Sequence, residues 1–303
     1  MNAPATLADL GEAELLRLLT RGWPGGTGGL AVGAGDDCAV LQPGPGERTL
    51  LFKTDAVVEG VHFLPAARPG LVGRKALARN LSDLAAMGGE PWAALVTLAA
   101  PSATSVQRVR AVYRGLEQLA RQHGVLLAGG ETVRAPKLML SVALLGRMPR
   151  GVRPVLRGTA RAGDELWVTG RLGGSQGGRH LRFEPRLAAG QWLARRRRAT
   201  AMMDLSDGLG ADLPKLAAAS GLGYELDETA LPGHRGVTLA QIFNDGEDYE
   251  LLFTARPGTA AKLRRDWPFA DLPLTRIGRL TKKALAGSRR AEQRKGYDHF
   301  SRR

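Results

Sequence analysis

Residues 201–213, AMMDLSDGLGADL, combine a short apolar run, a Gly-rich turn and the start of a helix. The run AMMDL has the composition of a buried strand, and GADLPKLAAASG, residues 210–221, has the apolar spacing of a helix. Three acids, Asp204, Asp207 and Asp212, fall within nine positions. Because carboxylates repel one another, these acids either cap the helix and face solvent or surround a cation.

The same succession of strand, turn and helix recurs through the whole chain. Acids or glycines repeatedly follow apolar strands, and amphipathic helices such as residues 105–124 stand between the strands. The first helix is expected to begin near Asp9 and Glu12, which have the spacing of a capping box. The pattern predicts a mixed α/β (α+β) fold.

A change in composition divides the chain into two predicted domains. Residues 147–165, RMPRGVRPVLRGTARAGDE, are basic and rich in Pro and Gly, which is typical of a junction. We therefore expect an N-terminal domain over residues 1–148 and a C-terminal α/β domain over residues 149–303.

The composition favours a soluble globular protein. The 303 residues are 44% hydrophobic and 24% charged. No apolar stretch approaches the ~18 residues that span a bilayer, and the N-terminus lacks the pattern of a secretory signal. We therefore expect a cytoplasmic protein without membrane association. The single cysteine, Cys38, excludes an intrachain disulfide and a multi-cysteine zinc site.

The net charge of +14 suits an anionic partner, either nucleic acid or a small phosphorylated molecule. The densest basic run, ARRRRAT at residues 194–200, lacks the aromatic side chains on which bases stack. A run of charge is usually a solvated face. We therefore expect a small anionic substrate and no nucleic acid.

Carboxylates recur in turns beside the apolar strands. They lie at five places: Asp36 with Asp37, Asp55, Asp83, Glu131, and Asp204 with Asp207. Turns and helix N-caps use aspartate in any protein, which is the alternative explanation for each one alone. Mg²⁺ takes a few carboxylates together with phosphate oxygens. Acids at five such places together favour a metal–phosphate site.

The common nucleotide-binding and hydrolase motifs are absent from the sequence. It contains no P-loop, no dinucleotide G-x-G-x-x-G after a strand, no H-E-x-x-H and no G-x-S-x-G. The Gly-rich GRLGGSQGG, residues 170–178, could let backbone N–H groups approach a phosphate. The acids of FNDGEDYELLFTAR, residues 243–256, could bind a cationic group or simply form a hairpin turn. Together these features suggest a phosphorylated, positively charged substrate.

Eight segments carry a resemblance to a known family. They occur in the order GAGDDCAVL, KTDAVVEGVHF, KALARNLSDLAAMGGEP, AGGETVRAP, LWVTGRLG, MMDLSDGLGADL, DGEDYELLFT and KGYDHF. The chain resembles the thiamine-monophosphate kinases, in the superfamily of aminoimidazole ribonucleotide synthetase. The resemblance implies an N-terminal sheet that pairs across a homodimer, a C-terminal α/β domain beside it, and ATP in the cleft between. It also implies direct, Mg²⁺-assisted in-line transfer from ATP to thiamine phosphate, which gives thiamine diphosphate in its biosynthesis.

The resemblance also implies roles for individual residues. Several Mg²⁺ ions would be held by Asp37, Thr54, Asp55, Asp83, Glu131, Asp204 and Asp207. ATP would be bound by Gly130, Glu131, Arg157 and Ser206, and the substrate by His62, Glu247 and the position of Arg294. Asp212 is expected to be only a helix residue. The nucleophile is already an anionic phosphate oxygen, so no general base is assigned.

The chain departs from the family pattern at a few positions. Lys53 stands in place of Ser or Thr, Glu131 in place of Asp, and Arg294 in place of an aromatic residue. The segment at residues 174–186 is shorter than usual, and we expect it to lack a helix. Two other functions remain open: a sibling ATP-dependent synthetase of the same superfamily, and a catalytically impaired basic protein that binds nucleic acid.

Overall fold

The computed structural model describes residues 6–23, 28–282 and 297. The helices are α1 Leu7–Leu19, α2 Pro69–Met87, α3 Val106–His123, α4 Leu187–Arg195, α5 Leu209–Ala219, α6 Leu239–Asn244 and α7 Ala260–Asp266. The strands of the first half are β1 Leu30–Val32, β2 Ala39–Leu41, β3 Leu50–Val58, β4 Glu90–Ala100, β5 Leu126–Arg134 and β6 Met139–Arg147. Those of the second half are β7 Glu165–Thr169, β8 Ala201–Asp204, β9 Gly223–Leu226, β10 Leu251–Ala255 and β11 Leu274–Thr281. The α/β fold class is confirmed.

The first sheet has six strands in the order β1-β2-β3-β6-β4-β5. All neighbours are antiparallel except β4 and β5, which run parallel and are joined through α3. Helix α2 starts at Pro69, where the missing backbone N–H costs no helical hydrogen bond. It ends at Met87, and Gly88 caps it in the left-handed conformation. Helices α2 and α3 approach so closely that a Cβ on Gly115 would lie 1.8 Å from the carbonyl oxygen of Gly70. This tight pair packs on one face of the sheet.

The other face of the first sheet carries exposed apolar side chains. Phe52, Leu95, Leu126 and Val133 are 48%, 52%, 62% and 54% exposed. Side chains alternate between the faces of a strand, and the alternate positions, such as Leu51 beside Phe52, are buried under the helices. The first sheet therefore has one covered face and one open, largely apolar face.

The second sheet has five antiparallel strands in the order β8-β10-β7-β11-β9. Its core includes Leu213 and Leu216 of α5 and Ile242 and Phe243 of α6. On the other side Trp167 and Phe253 belong to the same apolar cluster as the residues of α2. The two halves of the chain thus share a core, and α2 lies between them.

Several local predictions can be compared with these elements. The strand and helix predicted around residues 201–221 are β8 and α5. The shortened segment 174–186 was expected to lack a helix. It contains two short 3-10 turns, Ser175–Gly177 and Arg179–Leu181. Helix α1 is interrupted at Gly11, and the side chain of Asp9 lies outside the described part, so its capping box stays a prediction. Among the described residues no helix is long and apolar enough to span a membrane.

Candidate active site

Three buried aspartates from distant parts of the chain meet in one cluster. Asp37 lies in the turn before β2, Asp83 in the last turns of α2, and Asp204 at the end of β8. One carboxylate oxygen of each lies within 4.8 Å of those of the other two, and all three side chains are buried. Ser82 donates a hydrogen bond to Asp204 Oδ2 at 2.6 Å. The cluster offers the hard oxygen donors that Mg²⁺ prefers.

Two cations lie beside this cluster. Lys53 Nζ donates to Asp83 Oδ1 at 2.9 Å. Arg157 donates to both oxygens of Asp37, at 2.6 Å from Nη2 and 3.1 Å from Nε. The backbone N–H of Arg157 also donates to Asp36 at 3.0 Å. The predicted nucleotide-binding arginine therefore holds the turn that carries Asp37.

Burial and mutual repulsion disfavour the charged forms of the acids in this cluster. Burial, reinforced by the charge of Asp37, raises the pKa of Asp204 to about 7. Burial also raises the pKa of Asp83 well above its usual range, although Lys53 opposes the shift. Burial and the neighbouring Asp37 raise the pKa of Asp36 to about 6. A divalent cation among these oxygens would remove the penalty for ionising them, so the residues present fit the metal.

The two predicted ligands on β3 point to opposite faces of the sheet. Asp55 shares the helix-covered face with Lys53, and its Oδ2 lies 3.5 Å from Nε of Arg79. Thr54 lies on the open face, where its Oγ1 is 3.4 Å from Oγ of Ser141. The side chain of Thr54 therefore lies on the face of the sheet opposite Asp55 and is not brought to the acid cluster.

Gly130 and Glu131 lie on the edge strand β5, away from the cluster. Asp55, Val142, Val96 and Gly130 stand in one row across the sheet. Three strand spacings of about 4.8 Å separate β3 from β5, which is about 14 Å. Glu131 is exposed on the open face, and its Oε1 accepts the backbone N–H of Thr132 at 2.9 Å. Within a single copy of the chain, the structure does not bring these two residues together with the aspartates.

The turn after β8 holds the remaining acids. Lys215 Nζ lies 2.5 Å from Asp207 Oδ2 and 3.0 Å from Asp212 Oδ1. Asp212 is fully buried and accepts the backbone N–H of Asp207 at 2.9 Å. Burial raises the pKa of Asp212 to about 7, although Lys215 opposes the shift. Asp212 was expected to be only a helix residue. Its carboxylate also fixes the turn that carries Asp207.

A small cavity next to this turn brings four predicted residues together. His62, Ser206, Asp207 and Glu247 line it, together with Val61, Arg79, Gln176, Asp245, Gly246, Tyr249 and Tyr297. Tyr297 belongs to the tail motif KGYDHF, and its backbone N–H donates to the carbonyl oxygen of Asp207 at 2.9 Å. Arg294, the other predicted tail position, lies outside the described residues.

The segment that carries Glu247 has a strained backbone. Glu247 and Tyr249 both have positive φ, 53° and 52°, which is unfavourable for side chains of this size. Their N–H groups donate to the carbonyl oxygens of Ser206 and Leu205, at 2.7 and 2.8 Å. Such strain persists only where surrounding contacts enforce it, and it is concentrated at functional sites.

Two residues next to Glu247 were not singled out in the sequence. Lys75 Nζ lies 2.5 Å from Glu247 Oε1, and His180 Nδ1 lies 3.1 Å from Glu247 Oε2. Although burial opposes the shift, these two neighbours lower the pKa of Glu247 to about 2. The one indication in the sequence concerns Lys75, which stands among the apolar positions of a predicted helix. The carboxylate is ionised and faces the cavity.

The comparisons with known proteins agree with this geometry. The chain matches AIR synthase related protein, N-terminal domain, over residues 35–148, and AIR synthase related protein, C-terminal domain, over residues 158–288. It is 40% identical to thiamine-monophosphate kinase of Rhodopirellula baltica over 272 residues, with 83% of this chain and 84% of the relative covered. It is 35% identical to thiamine-monophosphate kinase of Escherichia coli, with 89% and 92% covered.

A solved structure extends the similarity over nearly the whole chain. AaThiL complexed with AMPPCP and TMP superposes with a TM-score of 0.83 at 31% identity, covering 98% of this chain and 100% of that one. Both the sequence relatives and the fold therefore lead to the same group. The chain belongs to the thiamine-monophosphate kinase family of the AIR synthase related proteins.

Proposed function

We propose that this protein transfers a phosphoryl group from ATP to thiamine phosphate, giving ADP and thiamine diphosphate, with Mg²⁺ bound at the aspartate cluster. The observation that carries the proposal is the meeting of Asp37, Asp83 and Asp204 within 4.8 Å in a member of this kinase family. A relative of the same fold was solved with AMPPCP and TMP bound. The cavity with the ionised Glu247 suits the positively charged part of thiamine phosphate.

The residues of this chain support the reaction mainly by positioning and charge. Asp37, Asp83 and Asp204 would hold Mg²⁺, which neutralises phosphate charge and aligns the two substrates. Arg157 fixes Asp37 through two hydrogen bonds and carries a positive charge next to the cluster. The attacking atom is a phosphate oxygen that is already anionic, so the site needs no general base. Asp55, Asp207 and Ser206 would complete the metal and nucleotide contacts.

We also propose that the open face of the first sheet pairs with that of a second copy. Its exposed apolar residues, such as Phe52 and Leu95, form the kind of patch that marks a protein interface. Glu131 projects from the same face. In such a homodimer Thr54 and Glu131 would lie at the interface between the two sheets, on the face opposite the aspartate cluster of their own chain.

The formation of thiamine diphosphate from thiamine phosphate and Mg·ATP by the purified protein tests the function. We expect the Asp204→Asn variant to lose this product, and the matched variant Asp227→Asn, at an exposed acid outside the site, to retain it. ATP turnover that ignores thiamine phosphate would instead support a sibling synthetase. Cys38, the single cysteine of the chain, offers little support for that alternative. It is buried, and burial raises the pKa of its thiol, which makes the thiol unreactive.

The ion pairs of the arginine run at residues 195–198 argue against a nucleic-acid surface there. Arg198 is paired with Asp266 at 2.8 Å, and Arg195 with Glu90 at 2.8 Å. Two of the four arginines are therefore already neutralised by carboxylates of the chain. A binding assay with single-stranded RNA at rising salt checks this, and we expect only weak, strongly salt-sensitive binding.

A further inference from the structure

Lys75 is a fully buried lysine next to Glu247, one of the residues that line the small cavity. Its side chain is 0% exposed. Its Nζ lies 2.5 Å from Glu247 Oε1, 2.6 Å from the backbone oxygen of His62 and 2.7 Å from His180 Nδ1. An ammonium has three donors, so these three neighbours occupy all of them. Two of the three belong to residues already assigned to the substrate.

Lys75 places a positive charge beside Glu247. Burial lowers the pKa of Lys75 to about 8, although the charge of Glu247 opposes the shift. Below pH 8 Lys75 is therefore mainly an ammonium, which donates to Glu247 Oε1 and to Nδ1 of His180. His180 Nδ1 also lies 3.1 Å from Glu247 Oε2, so the imidazole contacts both the lysine and the carboxylate.

The segment that carries His180 is itself fixed against the Glu247 turn. The ring of Phe183 stacks on that of Tyr249, with centroids 3.9 Å apart and planes at 17°. The hydroxyl of Tyr249 lies 3.3 Å from Glu247 Oε1. The 3-10 turn Arg179–Leu181 is thereby held next to the strained backbone at Glu247. The arrangement joins α2, this turn and the Glu247 segment at one carboxylate.

We propose that Lys75 and His180 are positioning residues that hold Glu247 as an oriented anion for the positively charged ring system of thiamine phosphate. The inference rests on the proposed function, and it assigns a role to two residues outside the metal and nucleotide sites. Other charged or titratable groups around the same cavity are His62, Arg79, Asp207, Asp245 and Tyr249. Of these groups, Tyr249 donates a hydrogen bond to Glu247 Oε1 at 3.3 Å, while Lys75 and His180 contact the two carboxylate oxygens at 2.5 and 3.1 Å.

The test compares His180→Leu with His180→Asn. Leucine removes the polar atom at the Nδ1 position, whereas the asparagine amide can replace it. We expect His180→Leu to raise KM for thiamine phosphate about tenfold, the usual effect of losing a charge-assisted hydrogen bond, with KM for ATP nearly unchanged. His180→Asn should restore most of the loss. Arg198→Gln, which breaks a part-buried ion pair elsewhere, is the matched control and should change neither KM.

The pH profile separates positioning from a merely structural role. Lys75→Gln removes the cation beside Glu247, which raises the pKa of Glu247, so a larger fraction is protonated as the pH falls. KM for thiamine phosphate should therefore rise from pH 8 to pH 5.5 more steeply in Lys75→Gln than in the wild type or in His180→Leu, which keeps Lys75. Circular dichroism shows whether each variant is folded, and His180→Leu carries the test if the buried Lys75 variant is not.

Three outcomes would overturn the inference. They are an unchanged KM for thiamine phosphate in His180→Leu, an equal change in both KM values, and a pH profile of the folded Lys75→Gln variant that is parallel to that of the wild type. Calorimetric binding of thiamine phosphate in the presence of Mg·AMPPCP distinguishes this from a failure of the proposed function. A wild type that binds thiamine phosphate without converting it refutes the reaction, whereas unchanged binding in His180→Leu refutes the positioning role.

Discussion

Replacing Asp204 with Asn should stabilise the metal-free protein while abolishing its activity. Asp204 is buried among other carboxylates, and its pKa is raised from 3.8 to about 7. At pH 8 it is nevertheless ionised, so the folded protein carries a charge that its surroundings disfavour. Asparagine keeps the shape and an oxygen that can accept the hydrogen bond of Ser82. The substitution removes the negative charge and puts an amide N–H₂ group in place of one carboxylate oxygen.

The size of the effect follows from the pKa of Asp204. A shift from 3.8 to about 7 corresponds to a cost of about 4 kcal/mol for the ionised form at pH 8. The new amide group is itself buried, and leaving part of it without partners costs about 1–3 kcal/mol. We therefore expect a net stabilisation of roughly 2 kcal/mol, which raises Tm by about 5 °C in a protein of this size.

The pH dependence has a definite sign. Because the pKa of Asp204 is higher in the folded state, the folded protein binds more protons than the unfolded chain between about pH 4 and pH 7. The contribution of Asp204 to the stability of the wild type is therefore present at low pH and is lost as the pH rises through about 7. The advantage of Asp204→Asn should be small near pH 4 and largest near pH 8.

Thermal unfolding with and without Mg²⁺ measures both parts of this prediction. At pH 8 with a chelator the variant should melt above the wild type, and added Mg²⁺ should raise Tm of the wild type much more than that of the variant. Asp227→Asn again serves as the control. A variant that melts below the wild type at pH 8 without metal, with no trend toward pH 5, would refute the reasoning about buried charge.

Three further substitutions test other parts of the structure. Lys53→Thr, which leaves Asp83 without its ammonium, should lower stability by about 3 kcal/mol and make turnover depend on more Mg²⁺; a magnesium titration of the rate checks this. Leu95→Glu on the open face should convert a dimer into monomers, as measured by light scattering after size exclusion. Gly130→Ala places a Cβ 1.8 Å from the carbonyl oxygen of Val96, so it should weaken the β4–β5 pairing and lower Tm, which differential scanning fluorimetry measures.

The acid cluster could be predicted because it depends on local rules. Asp37 and Asp204 stand in turns beside short apolar strands, and turns at strand ends gather at sheet edges. Asp83 was also expected in a turn, but it lies within helix α2, so its place in the fold was predicted wrongly although the residue itself was selected. The structure brings one carboxylate oxygen of each of the three residues within 4.8 Å of the others.

The positions of Thr54 and Glu131 could not be predicted in the same way. Strand alternation places Thr54 on the face opposite Asp55, although the two are adjacent in the sequence. The distance of Glu131 follows from the strand order, in which β6 and β4 lie between β3 and β5. Neither the face covered by helices nor the order of strands is visible in local composition, because both result from long-range pairing.

Lys75 was missed for a related reason. Helix α2 is buried almost all around, from Val72 to Met87, because it packs on the first sheet, on α3 and on α4. A lysine in a helix is normally exposed, so its sequence position suggests solvent. Only the packing of α2 between the two halves of the chain turns Lys75 into a buried partner of Glu247.

The groups around the cluster favour folding without the metal. Five acids and three basic side chains lie in or next to it: Asp36, Asp37, Asp55, Asp83 and Asp204 with Lys53, Arg79 and Arg157. Burial raises the pKa of Asp36, Asp83 and Asp204, so these acids can hold protons when no metal is bound. Lys53 supplies a permanent cation at a position where the resembling family has a small hydroxyl residue. We therefore expect this chain to tolerate the loss of Mg²⁺ from its structure better than from its activity, since a fixed ammonium can balance Asp83 but cannot supply the charge and oxygen coordination that a divalent ion would provide to the phosphates.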